Sequence, residues 1–287
     1  MRRCRGRLIG VTAILVIGCD PAPPSTVRSD SAVVPPREGA TALAPAVAEG
    51  RFAYVDSGGT RLLALDSVPD PSAIVGALCS EAITLPVRYD RTQTRHTSDN
   101  GRQIASNFLN QRGDVFTTTR QKAPPDKTCY LSPDSALLAN ARPAAMREPL
   151  DCSPAQVSRL ATAKKRQVIH CWEIATAPPD LRVLAVQFAN VDSSALASLA
   201  IVGDTSLVFK DFPAVYDGSG ESTWRVDDEG VFSPRGFDIL FVAAMPKGYV
   251  MAYTWAGAEG ESSELLLSDS TSAFRTLAKG YRYWSPA

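Results

Sequence analysis

The residues able to do chemistry are few and poorly matched to one another. A serine nucleophile needs a base, and the chain holds two histidines. His96 lies in a polar stretch, residues 90–103 (DRTQTRHTSDNGRQ), that reads as a long loop. His170 lies in an apolar run beside Cys171, where a structural role is the simpler reading. No G-x-S-x-G elbow, H-E-x-x-H, phosphate-binding loop or G-x-G-x-x-G occurs. Asp227-Asp228-Glu229-Gly230 and Asp217-Gly218-Ser219-Gly220-Glu221 gather carboxylates near glycines. Alternate oxygen ligands could hold Ca²⁺, but the second run lacks the full loop pattern and closing Glu of an EF-hand, which leaves acidic turns as the simpler reading. Carboxylate pairs for glycoside hydrolysis need not be close in sequence and stay open. Zinc is disfavoured, since no C-x-x-C spacing occurs. Tyr249, Met251, Tyr253 and Trp255 share one strand face by the period of two. Exposed, that face would stack sugars or seat a protein partner; covered by a helix, it is core, and core is the favoured reading. No catalytic residue, metal or cofactor is assigned.

The elements that would position these residues are mainly strands. Residues 52–56 and 60–65 are β-rich runs joined by Ser57-Gly58-Gly59, a hairpin signal. Asp70-Pro71 reads as a helix start, with Ile74/Leu78 and Val75/Cys79 spaced i, i+4. Residues 115–121 and 127–131 read as a hairpin across Ala123-Pro124-Pro125-Asp126. The stretch 142–150 (RPAAMREPL), with two prolines and no strand pattern, is the best internal boundary. Ser153, Pro154 and Gln156 then form a capping box opening a helix over about 154–165, which ends in Lys164-Lys165-Arg166. Strand-like runs follow at 168–174, 181–188, 199–202 and 207–209, then a strong hairpin at 237–243 and 248–255, with closing strands at 265–267 and 281–284. The expected fold is α+β and mostly antiparallel β: a sheet with one main helix packed on it, after a hairpin-rich N-terminal half.

The chain has 287 residues with 30 basic and 30 acidic side chains. That balance argues against nucleic acid as the main partner. Arg2, Arg3, Arg5 and Arg7 precede the uncharged run Leu8–Gly18. Eleven residues at ~1.5 Å each reach about half of a ~30 Å hydrocarbon core, so the layout is that of an export signal rather than a span. It ends in Val16-Ile17-Gly18-Cys19, which resembles the lipobox of bacterial lipoproteins. The resemblance is confined to this segment. It implies cleavage before Cys19, lipidation of Cys19, and a membrane-anchored protein of the bacterial cell envelope facing the periplasm or the exterior. It also implies a sorting cue at Asp20, which in enterobacteria tends to retain such proteins at the inner membrane. Residues 19–49 are rich in Pro, Ala and Ser and read as an extended tether, leaving a body of 50–141 and 151–287 whose halves could form one domain.

With Cys4 removed and Cys19 lipidated, Cys79, Cys129, Cys152 and Cys171 remain. An even number in an exported chain suggests two disulfides. Cys79–Cys129 with Cys152–Cys171 keeps each pair within one half of the body. A helix of about twelve residues spans ~18 Å and five extended residues regain ~17 Å, which returns Cys171 to Cys152. The functional expectation is a non-catalytic lipoprotein that binds an envelope protein or a glycan. The alternative is a cell-envelope hydrolase using dispersed carboxylates or His170.

Overall fold

The computed structural model describes residues 47–81, 83–216, 218, 223–224, 232–246, 248–269 and 272–284. The signal, lipobox and tether to residue 46, and both acidic glycine runs apart from Gly218, lie outside the described residues.

Six short strands close into an antiparallel barrel: β1 (Arg51–Val55), β2 (Arg61–Ala64), β3 (Gly76–Cys79), β4 (Ile83–Gln93), β5 (Gly113–Thr118) and β6 (Thr128–Ser132), in the order β1-β2-β5-β4-β3-β6. A six-stranded barrel leaves a narrow interior, and small residues (Ala53, Ala64, Ala77, Cys79, Cys129) share it with Leu62, Leu85 and Phe116. The outward residues are buried too. Tyr54, Leu63 and Val115 lie under Phe108 of the 94–112 loop, and Phe52, Leu78 and Tyr130 pack on the neighbouring sheet. Burial on both faces explains why these strands read as continuous apolar runs.

The chain then forms α1 (Ser135–Asn140), β7 (Ala141–Pro143), β8 (Ala145–Asp151) and α2 (Pro154–Lys164). Eight longer strands follow: β9 (Val168–Ala177), β10 (Leu181–Val191), β11 (Ser194–Val202), β12 (Leu207–Val215), β13 (Phe237–Met245), β14 (Gly248–Ala256), β15 (Gly260–Asp269) and β16 (Arg275–Tyr283). They make an inner sheet, β16-β15-β14-β13-β7, and an outer sheet, β12-β11-β10-β9-β8. The two pack face to face through Ile174, Val183, Leu199, Ile239, Met251 and Tyr253. The other face of the inner sheet meets the barrel through Leu240, Phe241, Val250 and Leu265. The layers therefore run barrel, inner sheet, outer sheet, α2.

This corrects the α+β expectation. The capping box at Ser153 and Gln156 is present, but α2 buries only Leu160 fully and covers part of the outer sheet. Strands apolar on both faces need a covering layer on each side, and a helix with one buried residue cannot supply it. A second sheet and a barrel do so instead. Three local readings fail for the same reason. Pro71–Ala73 is a single 3₁₀ turn capped by Asp70, after which β3 is drawn into the barrel by pairing with β4 and β6. The polar 90–103 stretch begins as the end of β4. β5 and β6 are not a hairpin: β5 pairs with β2 and β4, and β6 with β1 and β3.

Residues 142–150 are also structured. The chain passes there from the edge of the inner sheet (β7) to the edge of the outer sheet (β8), and Pro149 sits at a break in the β8–β9 register. The described residues all fall within one compact unit. Its order begins earlier than residue 50, since Val47 is buried and its carbonyl accepts a hydrogen bond from the Tyr130 hydroxyl.

Two disulfides are present. Cys79–Cys129 joins directly opposed residues of β3 and β6 within the barrel, and Cys152–Cys171 ties the start of α2 to β9 across a Cα separation of 5.4 Å. Such bonds point to an oxidising, extracytoplasmic environment. No helix among the described residues is long and apolar enough to cross a membrane.

Candidate functional site

The face that the inner sheet turns to the barrel changes character along its length. Midway along, Ala252, Leu265 and Ala278 stand side by side on β14, β15 and β16 and pack on the barrel. Two residues further along each strand, the row across β13–β16 reads Asp238, Thr254, Ser263 and Gly280. The next row reads Ala256, Glu261 and Arg282. Four strands thus turn polar at the same end. Facing them are Asp126, Lys127 and Thr128, which lead into β6 of the barrel. Between the two lies a cleft of about 390 Å³. Gly280 holds the layers together beside it: a Cβ there would stand 3.0 Å from the Phe52 ring of β1.

Arg282 organises the closed side of the cleft. Its side chain is 2% exposed. Nε donates to the Gln103 carbonyl at 2.5 Å, Nη1 to the Asp126 carbonyl at 2.7 Å, and Nη2 to the Asp126 carboxylate. The guanidinium also lies 4.9 Å from the Tyr54 ring centre. These partners offset much of the cost of removing a guanidinium from water. Glu261 stands opposite Arg282 in the β15–β16 pair with Oε1 3.8 Å from Nη1, and it accepts a hydrogen bond from the Thr128 hydroxyl.

Asp238 is the unusual member. Burial pushes its carboxyl above the ordinary range, Lys127 opposes that shift, Ser80 eases it and Glu81 adds to it. Oδ2 is 3.8 Å from Lys127 Nζ, beyond hydrogen-bond length. Oδ1 is buried without a partner of good geometry, and the neighbouring Ser80 Oγ is in the same condition. A buried acceptor left this way costs about 1–3 kcal/mol, so its retention asks for an explanation.

The residues singled out from sequence lie elsewhere. His96 is exposed, its Nδ1 accepting from the Ser98 amide at 3.1 Å. His170 is exposed on β9 with its ring stacked on Trp172 at 5.3 Å. The face of Tyr249, Tyr253 and Trp255 is not an open stacking platform but the core between the two sheets. Tyr253 is buried, Trp255 stacks on Phe237 at 4.9 Å, and the Tyr249 hydroxyl donates to Ser206 Oγ at 2.8 Å. It is covered by the outer sheet rather than by the 154–165 helix. Lys164 of the basic cluster pairs with Asp211 at 2.6 Å and Arg166 binds the Ser194 carbonyl at 3.2 Å, which makes this a helix terminus tied to the outer sheet.

Asp126, Lys127, Asp238, Glu261 and Arg282 were not singled out from sequence. The available signal was a polar residue at the same end of four successive strands, legible only once their register is known. A wider groove beside β8 is lined by Arg147 and Arg182, but both pair with the buried Glu173 at 2.5 and 2.8 Å and act as a clasp between strands. No metal-binding cluster of His, Cys, Asp and Glu occurs among the described residues. No family model, curated protein or solved structure matches this chain.

Proposed function

We propose that this chain is a lipid-anchored lipoprotein of the bacterial cell envelope whose body is a non-catalytic binding module. The observation that carries the reading is the sequence Val16-Ile17-Gly18-Cys19 at the end of a basic-then-apolar leader. The two disulfides fit the same address. The Pro-rich stretch from Asp20 to Pro45 suits a spacer between an anchored cysteine and a body that already includes the buried Val47. A buried acyl chain adds ~0.8 kcal/mol per CH₂, so two or three chains hold such a protein firmly. The cleft between barrel and inner sheet is a place on the body where a polar ligand has room to bind, its volume lying within the ~300–1,000 Å³ of small-molecule sites.

Cys19→Ala tests the address. The variant is expected to leave the membrane fraction or to accumulate as an uncleaved precursor. A variant that is processed and sediments with membranes like the parent overturns the lipoprotein reading. One observation favours a second reading, a hydrolase built on dispersed carboxylates: Asp238, whose raised pKa suits a proton donor, shares the cleft with Glu261. His170, exposed and stacked on Trp172, supplies no comparable support.

A further inference from the structure

We propose that the cleft between the barrel and the inner sheet binds a neutral, hydroxyl-rich saccharide. The proposal rests on the binding-module reading and gives it a ligand class. Two ion pairs in the lining are stretched in the same way: Lys127 Nζ to Asp238 Oδ2 and Arg282 Nη1 to Glu261 Oε1 are each 3.8 Å apart. At that separation a cation and a carboxylate attract without a direct hydrogen bond, and a group that accepts from one and donates to the other can bridge the pair from the side. A hydroxyl does both; an ammonium only donates and a carboxylate or phosphate only accepts. The lining charges agree, since Asp126, Asp238 and Glu261 are balanced by Lys127, Arg235 and Arg282. A cleft without net charge gives no strong preference to an anion or a polycation. Trp284 lines the same cleft, half-buried, and offers an apolar ring wall. The polar rows on β13–β16 interrupt a face that is otherwise apolar, which packing alone does not require.

Calorimetric titration of the full processed chain in detergent tests this. The probes are N,N′-diacetylchitobiose, cellobiose and maltotriose, with spermidine and a sulfated disaccharide as charged controls. At least one neutral saccharide should bind with a Kd at or below about 1 mM. Asp238→Asn and Lys127→Met should each weaken it about tenfold or more, roughly the loss of one charge-assisted contact. Lys127 is half-exposed, so its variant keeps the fold if Asp238→Asn does not. Absence of binding by all three saccharides, binding by the charged controls only, or unchanged affinity in both variants overturns the proposal. Cleavage of a bound saccharide on prolonged incubation would support the cleft assignment while removing the non-catalytic reading. Capture of a non-saccharide envelope component in a Lys127-dependent way would remove the saccharide class and leave the binding module standing.

Discussion

The hydroxyl of Thr128 on β6 hydrogen-bonds the carboxylate of Glu261 on β15, 133 residues further along the chain, and both residues are buried. Barrel and inner sheet are therefore joined by a polar seam beside their apolar contact. Thr128→Val keeps the shape and leaves Glu261 short of a donor, which should cost about 1.5–3 kcal/mol. Urea unfolding of parent and variant, compared at their midpoints, checks this; an unchanged midpoint would show that the seam contributes no stability.

Arg282→Met should be more damaging. It leaves the buried Glu261 carboxylate without its neighbouring cation and Asp126 without its ion-pair partner, and breaking a buried pair from one side costs about 3–5 kcal/mol. Thermal unfolding should show a fall of many degrees. Adding Glu261→Gln should recover part of the loss, because it removes one of the stranded charges.

The Asp238 carboxyl is raised by burial, so the folded state holds its proton to higher pH than the unfolded chain does. Stability from this group is complete below the ordinary aspartate value of ~4 and falls as pH rises from there to the raised value. Asp238→Asn should remove that slope and make the protein more stable than the parent above the window. A stability–pH curve identical in the two proteins would show that Asp238 titrates normally.

Opening the disulfides should cost unequal amounts. The bonds close separations of 50 and 19 residues, which by loop-closure entropy correspond to about 4 kcal/mol for Cys79–Cys129 and about 3 kcal/mol for Cys152–Cys171. Paired Cys→Ala variants compared by denaturant unfolding measure each. Equal losses would mean that local packing, not chain closure, sets their contributions.

Truncation should separate tether from body at residue 47. A chain starting at Val47 should unfold like one that keeps the tether. One starting at Arg51 loses a buried valine and the partner of the Tyr130 hydroxyl, worth together about 2–4 kcal/mol. Equal midpoints would place the boundary after residue 50.

Local chemistry in the sequence predicted local structure well. Ser57-Gly58-Gly59 turns β1 into β2, the Ser153/Gln156 capping box starts α2, and the strands around residues 245–248 pair as a hairpin. Cys152 paired with Cys171 as expected because the helix-and-return geometry that joins them is also short-range. What failed depended on distant pairing. β3 looks helical by its i, i+4 spacing and is a strand because β4 and β6 flank it. Tyr249, Tyr253 and Trp255 share a face as expected, but what covers that face is the outer sheet, whose β10 and β11 lie about 50 to 70 residues earlier in the chain. The cleft was least legible of all, since Asp126, Asp238, Glu261 and Arg282 meet only when barrel and sheet dock.

The outermost strands have one more consequence. The barrel has no edge, and each flank of the two sheets carries an obstacle. β7 is three residues long, β8 is broken at Pro149, and β12 holds Pro213 and is bridged at Phe209 to Ala273. Along β16, the backbone of Tyr283 is bonded to Gln103. Open ladders are what neighbouring copies use to add strands to one another. Molecules crowded side by side on a surface would then find little backbone to zip together, so local density could rise without seeding aggregation.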